Sequence, residues 1–417
     1  MAEVKPLQAL HYNLAAIPSL ADVTAPPYDV IDAEQRAALL ARSPLNVVEI
    51  DLPQAPGGSD PYEHAAETLE SWILDGILAT DREPALWALT QDYTGPDGVP
   101  RTRRGFLARV RVTEYGRGLV RPHERTQPGP KEDRLRLTEA TRHNLSPIFA
   151  LHPGSAWERI EPHTAGEPWG EVAELDGTVH RVWRIGDRDV ADAVTEGLAD
   201  AELLIADGHH RYETARAYAE AIGGEGAHRY TLMGLVSLED PGLTVFATHR
   251  LIGNLDSTAQ ERLAAGIREH FEIEEVARDD LDPAGIEGVG VFGYIDAHSN
   301  RPFRLRLRDM RAIDGALPGA SEAYRRLDAA ILEELVLKRT LGRTDDDIAA
   351  KRGLGYVTGT EEALRELAEG AYQAAFLLRA TPIEQVRAVA AEGETMPSKS
   401  TYFFPKLLTG IVFNPLS

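Results

Sequence analysis

The run Leu203-Leu204-Ile205-Ala206-Asp207-Gly208-His209-His210-Arg211-Tyr212-Glu213-Thr214-Ala215 constrains this chain more than any other stretch. Four apolar residues fit a short buried strand, and a glycine follows almost at once. Beyond it, Tyr212, Ala215, Ala219 and Ile222 recur at helical spacing until Gly223-Gly224 stops the pattern. Strand, tight turn and helix N-terminus together aim backbone N–H groups at an anion. Gly208 suits the turn because glycine accepts φ > 0 and lets a ligand approach the backbone. His209, His210 and Arg211 crowd three ionisable side chains onto it, and Arg211 offers a planar fork for phosphate or carboxylate. The sequence therefore predicts a phosphate-binding turn. The plainer reading is a buried strand and helix with a polar corner.

The rest of the chain narrows the classes. At 417 residues it is long enough for two or three domains. A net charge of −22 argues against nucleic-acid partners and anionic membrane surfaces. With no cysteine, disulfides, thiol nucleophiles and Cys-ligated metals are excluded. The N-terminus, Met-Ala-Glu-Val-Lys-Pro, has no signal-peptide pattern, and no apolar window of about 18 residues predicts a transmembrane helix. The expectation is a cytoplasmic protein acting on a small molecule.

Three regions are expected: an N-terminal α/β region over 1–152 with a basic loop, a central α+β region over 153–310 with the turn, and a C-terminal α/β region over 311–417. In the first, Pro26-Pro27-Tyr28-Asp29 reads as a rigid loop, with Asp29 a candidate base. Asp32 is placed to cap a helix through Arg42, Val47 to Leu52 alternates like a strand, and Pro61 to Gly76 reads as a helix. Strands are expected at Leu86–Tyr93 and Arg104–Val112 around a Pro96-Asp97-Gly98 turn. Residues 101–142 hold 12 Lys or Arg against 5 Asp or Glu, a basic island in an acidic chain. Its loop 121–134 carries His123, Glu124, Lys131, Asp133 and Arg134 among Pro and Gly, which suits an anionic ligand with a carboxylate as base or metal ligand. Further on, a hairpin is predicted through Glu239-Asp240-Pro241-Gly242, with His249 and Arg250 at the end of its second strand. Gly288, Gly290 and Gly293 have the spacing of a dinucleotide fingerprint, but a strand occupies the place where its helix belongs. Residues 311–319 read as a linker, Tyr324–Leu341 as one helix, and Thr381 with Glu384 as a capping box. The tail carries Lys399-Ser400-Thr401, which ends like a Walker A loop but lacks its glycines.

Taken together, several segments resemble a prokaryotic family called domain of unknown function 1015. They are Ala25-Pro26-Pro27-Tyr28-Asp29-Val30-Ile31, His123-Glu124 with Lys131 and Asp133-Arg134, Ala206 to Tyr212, Thr248-His249-Arg250, and Met396-Pro397 with Lys399 to Phe403 and Pro405-Lys406. The resemblance runs from about Lys5 to the C-terminus, with Ala247 and Ser398 standing where proline and glutamine are expected. The turn Asp207-Gly208-His209-His210-Arg211 is also similar to the nucleotide-phosphate motif of the ParB-like and sulfiredoxin-like superfamily, which includes a free-serine kinase. That similarity implies an α+β fold of mixed sheets and flanking helices around a nucleotide-binding core. Sulfiredoxin chemistry needs a cysteine, and partition proteins need DNA affinity, so phosphoryl transfer is the activity it leaves.

The expected function is thus a kinase-like phosphotransferase using ATP, ADP or another donor, with Mg²⁺, on a small hydroxyl compound such as serine. Gly208, His209, His210 and Arg211 would hold phosphate. His123, Lys131, Arg134, Arg250, Lys399, Ser400 and Thr401 would complete an anion site. Glu124 or Asp29 would accept the hydroxyl proton, and Asp207 or Asp133 would hold the metal. Two alternatives stay open: a metal-dependent phosphoester hydrolase using Asp207, His209, His210 and His123, and a non-catalytic nucleotide or metabolite sensor. All five segments are expected to line one cleft.

Overall fold

The structure, a computed structural model, describes residues 2–95, 97–116, 119–124 and 128–417, so Pro96 of the expected turn and Arg125–Gln127 of the basic loop lie outside the described residues. The fold is mixed α/β, with several sheets and flanking helices, as expected. Its two compact units cut across the three sequence regions. The first contains residues 1–122, 126–243 and 405–417; the second contains 123–125 and 244–404.

The first unit is built on a nine-stranded sheet. Its order runs Val120–Arg121, Leu203–Asp207, Ile148–His152, Tyr230–Ser237, Pro100–Arg111, Leu86–Thr94, Val179–Ile185, Gly170–Ala173, with Val4–Lys5 beside Pro100–Arg111. The inner strands Ile148–His152 and Tyr230–Ser237 are largely apolar runs, and their side chains pack with Leu203, Ile205 and Tyr212 into one core. Helix His209–Ile222 packs on helix Pro128–Thr141, which packs in turn on Pro61–Leu74. The second unit has a six-stranded antiparallel sheet, ordered Phe271–Glu275, Phe303–Leu307, Val291–Asp296, Ala374–Leu377, His249–Ile252, Leu354–Val357.

Most elements sit where the periodicity put them. Asp32 caps helix Ala33–Arg42 in a reciprocal capping box with Gln35. Five expectations are corrected. Val47–Leu52 is not a strand: Val48–Asp51 is a helical turn. Asn46 sets it, its amide donating to the carbonyls of Asp22 and Thr24 while its Oδ1 accepts from Val48 N. The expected hairpin at 239–242 is a turn without a hairpin. Both edges of Tyr230–Ser237 are already taken by Ile148–His152 and Pro100–Arg111, so Thr244–Phe246 pairs instead with Tyr402–Phe404. The supposed linker contains helix Arg311–Ala316, with Ile313 buried.

The long helix expected over 324–341 is divided. Glu322–Arg325 ends, and Asp328–Ile331 continues as a π-helical Leu332–Thr340, in which Leu341 N donates to Val336 O. Asp328 pins the break, gripping the Arg379 guanidinium at 2.8 Å through each oxygen and accepting from Gly290 N. Thr381 also caps nothing. Its hydroxyl donates to Ser400 O, and the helix begins at Ile383 without a side-chain cap.

Candidate functional site

The first unit's polar cluster begins with a kink in a strand. Leu203–Asp207 runs antiparallel to Ile148–His152, and its register shifts between Ile205 and Asp207, a bulge just before the strand ends. Gly208 then takes φ 91°, ψ 30°, the left-handed conformation, as N-cap of the 14-residue helix His209–Ile222. The backbone favours glycine here, and a Cβ would lie 3.0 Å from the Arg211 guanidinium, which would have to shift. The helix is anchored by Tyr212. Fully buried, it donates its hydroxyl to Thr113 O and accepts from Thr113 N, both at 3.0 Å.

Asp207 is the hub. Its Oδ1 accepts from Lys406 Nζ and its Oδ2 from Arg211 Nη2, each at 2.7 Å. Burial pushes this carboxyl up, but Lys406, Arg211 and His209 outweigh it and hold it well below the usual carboxylate range. Arg211 is committed elsewhere too, donating from Nη1 to Ser146 Oγ and Pro147 O. Lys406 is placed by its own backbone. Its carbonyl accepts from Gln91 Nε2 at 2.9 Å, and the preceding Pro405 carbonyl accepts from the buried Arg103.

A second pair of helices brings Arg134 alongside. Its guanidinium donates to the Asp51 carbonyl at 2.7 Å and to the Asp51 and Asp133 carboxylates, and it lies 4.3 Å over the Tyr28 ring. Asp133 Oδ1 accepts the Tyr62 hydroxyl proton at 2.8 Å. Tyr28, Asp51, Arg134, Ser146, Arg211 and Thr214 line a small cavity of about 40 Å³. Burial pushes the Tyr28 hydroxyl up to about 12, opposed by Arg211. Lys131 sits in the same helix as Arg134, partly exposed, and Asp29 is exposed beside Tyr28.

The second unit gathers the remaining candidates. His123 is fully buried, its Nε2 within 2.8 Å of Thr401 Oγ1, and its carbonyl accepts from Met396 N. Glu124 Oε1 accepts from Lys399 N at 3.3 Å, and Lys399 takes φ 60°. Ser400 Oγ donates to Pro397 O. Arg250, buried, donates to the carbonyls of Thr248 and Ser398 and lies 4.7 Å over the Tyr356 ring. Burial pushes its guanidinium down. His249 Nδ1 accepts from Leu378 N, which leaves the ring proton on Nε2, and burial pushes the imidazole down to about 4.

The candidates therefore fall into two groups. Asp29, Lys131, Asp133, Arg134 and Asp207–Arg211 belong to the first unit; His123, Glu124, Arg250 and Lys399–Thr401 belong to the second. The donor set does not fit a metal. Asp207 and Asp133 each have both oxygens engaged by cations or hydroxyl, and among the described residues no group of three His, Asp or Glu is arranged to hold one. Among the described residues no helix is long and apolar enough to cross a membrane. Sequence reasoning missed Lys406 as the partner of Asp207, although Pro405-Lys406 stands in the tail it singled out. It also missed Asp51, hidden in the stretch misread as a strand, and Arg103 with Gln91, which carry no local signal.

Several solved structures are similar to this chain at low identity. A conserved hypothetical protein from Pyrococcus furiosus shares 16% identity over 68% of this chain and 86% of that one, with a TM-score of 0.35. A free serine kinase in complex with AMP shares 16% over 70% and 88%, with a TM-score of 0.35. SbnI with a C-terminal truncation, from Staphylococcus aureus, shares 13% over 73% and 85%, with a TM-score of 0.37. No curated protein matches. A family model does match, over residues 4–330, and so the chain belongs to the family described as protein of unknown function, DUF1015.

Proposed function

We propose that the first unit binds the phosphates of a nucleotide such as ATP or ADP at the Gly208 turn and transfers a phosphoryl group to a small hydroxyl compound, serine being the first acceptor to test. One observation carries this reading: a left-handed glycine N-cap opens a long helix directly after a carboxylate that two cations hold ionised. A glycine cap has no side-chain oxygen for the helix's first turn, and a helix N-terminus favours negative charge. The similarity of Asp207-Gly208-His209-His210-Arg211 to nucleotide-phosphate motifs points the same way.

Each residue has a role in this reading. Backbone N–H groups of the first turn, with the imidazoles of His209 and His210, hold phosphate oxygens. Lys131, whose ammonium has no partner among the described residues, neutralises charge that spreads over the transferring group. Arg211 and Lys406 fix Asp207 and thereby the turn, while Arg134 braces Asp51 and Asp133. Asp207 is a poor base, since two ion pairs hold its carboxyl low. The proton acceptor is Asp29, exposed on its proline-stiffened loop. The acceptor hydroxyl oxygen attacks the terminal phosphorus, the bond to the nucleotide oxygen breaks, and the hydroxyl proton passes to Asp29.

Phosphorus NMR of the protein with ATP or ADP and L-serine tests this. A new phosphomonoester resonance is expected, lost in Asp29→Asn and His210→Ala. Nucleotide binding without any phosphoryl product would leave a sensor in place of an enzyme. Neither binding nor product would end the reading.

A further inference from the structure

The second unit holds a cavity of about 650 Å³ that nothing above uses. That size falls within the roughly 300–1,000 Å³ of small-molecule pockets. One wall is helix Ser257–His270, where Gln260, Ala264 and Arg268 follow at i, i+4 and i+8 beside the buried Leu263 and Ile267. Ala264 leaves the room, since a single methyl stands where a larger side chain would close the gap. The other wall is a sheet face. Tyr294 pairs across with Phe303 and Ile273 with Leu305, and Phe303 and Leu305 are two residues apart, so all four side chains stand on one side. The floor is therefore aromatic and aliphatic.

The charge at this cavity is unbalanced in one direction. Asp296 is satisfied: Ser299 donates to it from N at 2.7 Å and from Oγ at 2.9 Å, and the Tyr294 hydroxyl bonds to it as well. Arg268 also lines the cavity, yet among the described residues it has no hydrogen-bond acceptor and no carboxylate partner. The helix dipole accounts for a cation in a C-terminal turn. It does not account for an open apolar floor beside that cation. An apolar cavity edged by one exposed guanidinium that no carboxylate neutralises selects an apolar body with an anionic end.

We propose that this cavity binds a small amphipathic carboxylate, its chain or ring on Ile267, Tyr294, Phe303 and Leu305 and its carboxylate on Arg268. The site is independent of the phosphotransferase reading. Calorimetric titration of the full chain with sodium decanoate, below its micelle-forming concentration, tests it. Decyltrimethylammonium serves as the cationic counterpart of equal chain length. Decanoate is expected to bind, and the cation at least about tenfold more weakly. Arg268→Gln, an exposed substitution that the fold tolerates, is expected to weaken decanoate about tenfold, the scale of one charge-assisted hydrogen bond. Ala264→Trp projects an indole from this wall into the cavity and is expected to obstruct binding of decanoate. The proposal is overturned if decanoate does not bind the parent, if both ions bind equally, or if Arg268→Gln leaves the affinity unchanged. Self-association through this face that Ala264→Trp removes, with no decanoate binding, would assign the surface to a second copy of the chain and equally overturn it.

Discussion

Arg211 in the first unit and Arg250 in the second are both largely buried, yet they are held in opposite ways. Arg211 is neutralised: Asp207 takes it at 2.7 Å, and the same carboxylate takes Lys406. Arg250 has no carboxylate at ion-pair distance among the described residues and rests on two carbonyls and an aromatic ring. A compensated guanidinium is a brace, because the donors on its two terminal nitrogens hold a turn in shape. One held by carbonyls keeps its net charge in a setting that disfavours it, as its downward shift reflects. The first arginine is thus held by an opposite charge and the second by neutral acceptors.

The largest effect should come from breaking the brace. Asp207→Ala strands two partly buried cations and is expected to cost about 3–5 kcal/mol in urea unfolding. A loss below about 1 kcal/mol would mean that Lys406 and Arg211 are solvated, not locked. Next is the pH response. The unfolded chain protonates His249 near the ordinary 6.5, whereas the folded one resists until about 4. Stability is therefore lost as pH falls through that window, by up to about 3 kcal/mol. Asp207 behaves differently: its low folded value keeps its contribution intact above the ordinary 3.8, so that contribution fades only in stronger acid. Hydrogen exchange should show strands around His249 loosening between pH 6.5 and 4, with the slope reduced in His249→Gln. His143 and His152, also pushed down by burial, add a slope of the same sign in the first unit, which that variant leaves untouched.

Arg250→Met comes third. It removes two hydrogen bonds but strands no carboxylate, so about 1–3 kcal/mol is expected, less than for Asp207→Ala. Equal losses would erase the distinction between the two clusters. Smallest is Gly208→Ala, about 1–2 kcal/mol for a side chain in the left-handed region. Its larger consequence should be on ligand affinity, because the Cβ displaces the Arg211 guanidinium.

Much of this was legible in the sequence where local rules act alone. The strand, glycine and helix at 203–222 follow from periodicity and one residue's backbone freedom, and Asp32 announces its own cap. The misreadings arise where distant partners decide. Glu239–Gly242 is a good turn, but strand edges occupied from elsewhere forbid the hairpin. Asp328 divides an otherwise continuous helical pattern because Arg379, 51 residues on, needs its carboxylate. Lys406 reaches Asp207 across 199 residues, and no spacing rule connects them. The turn itself was readable; what fixes it was not.

Phosphate binding at the Gly208 turn is read out by calorimetric titration with ADP. The parent is expected to bind, and His210→Ala and Gly208→Ala are each expected to weaken binding by about tenfold or more, the loss of one charged hydrogen bond or more. A parent that does not bind ADP, or variants that bind it as tightly as the parent, would contradict the account.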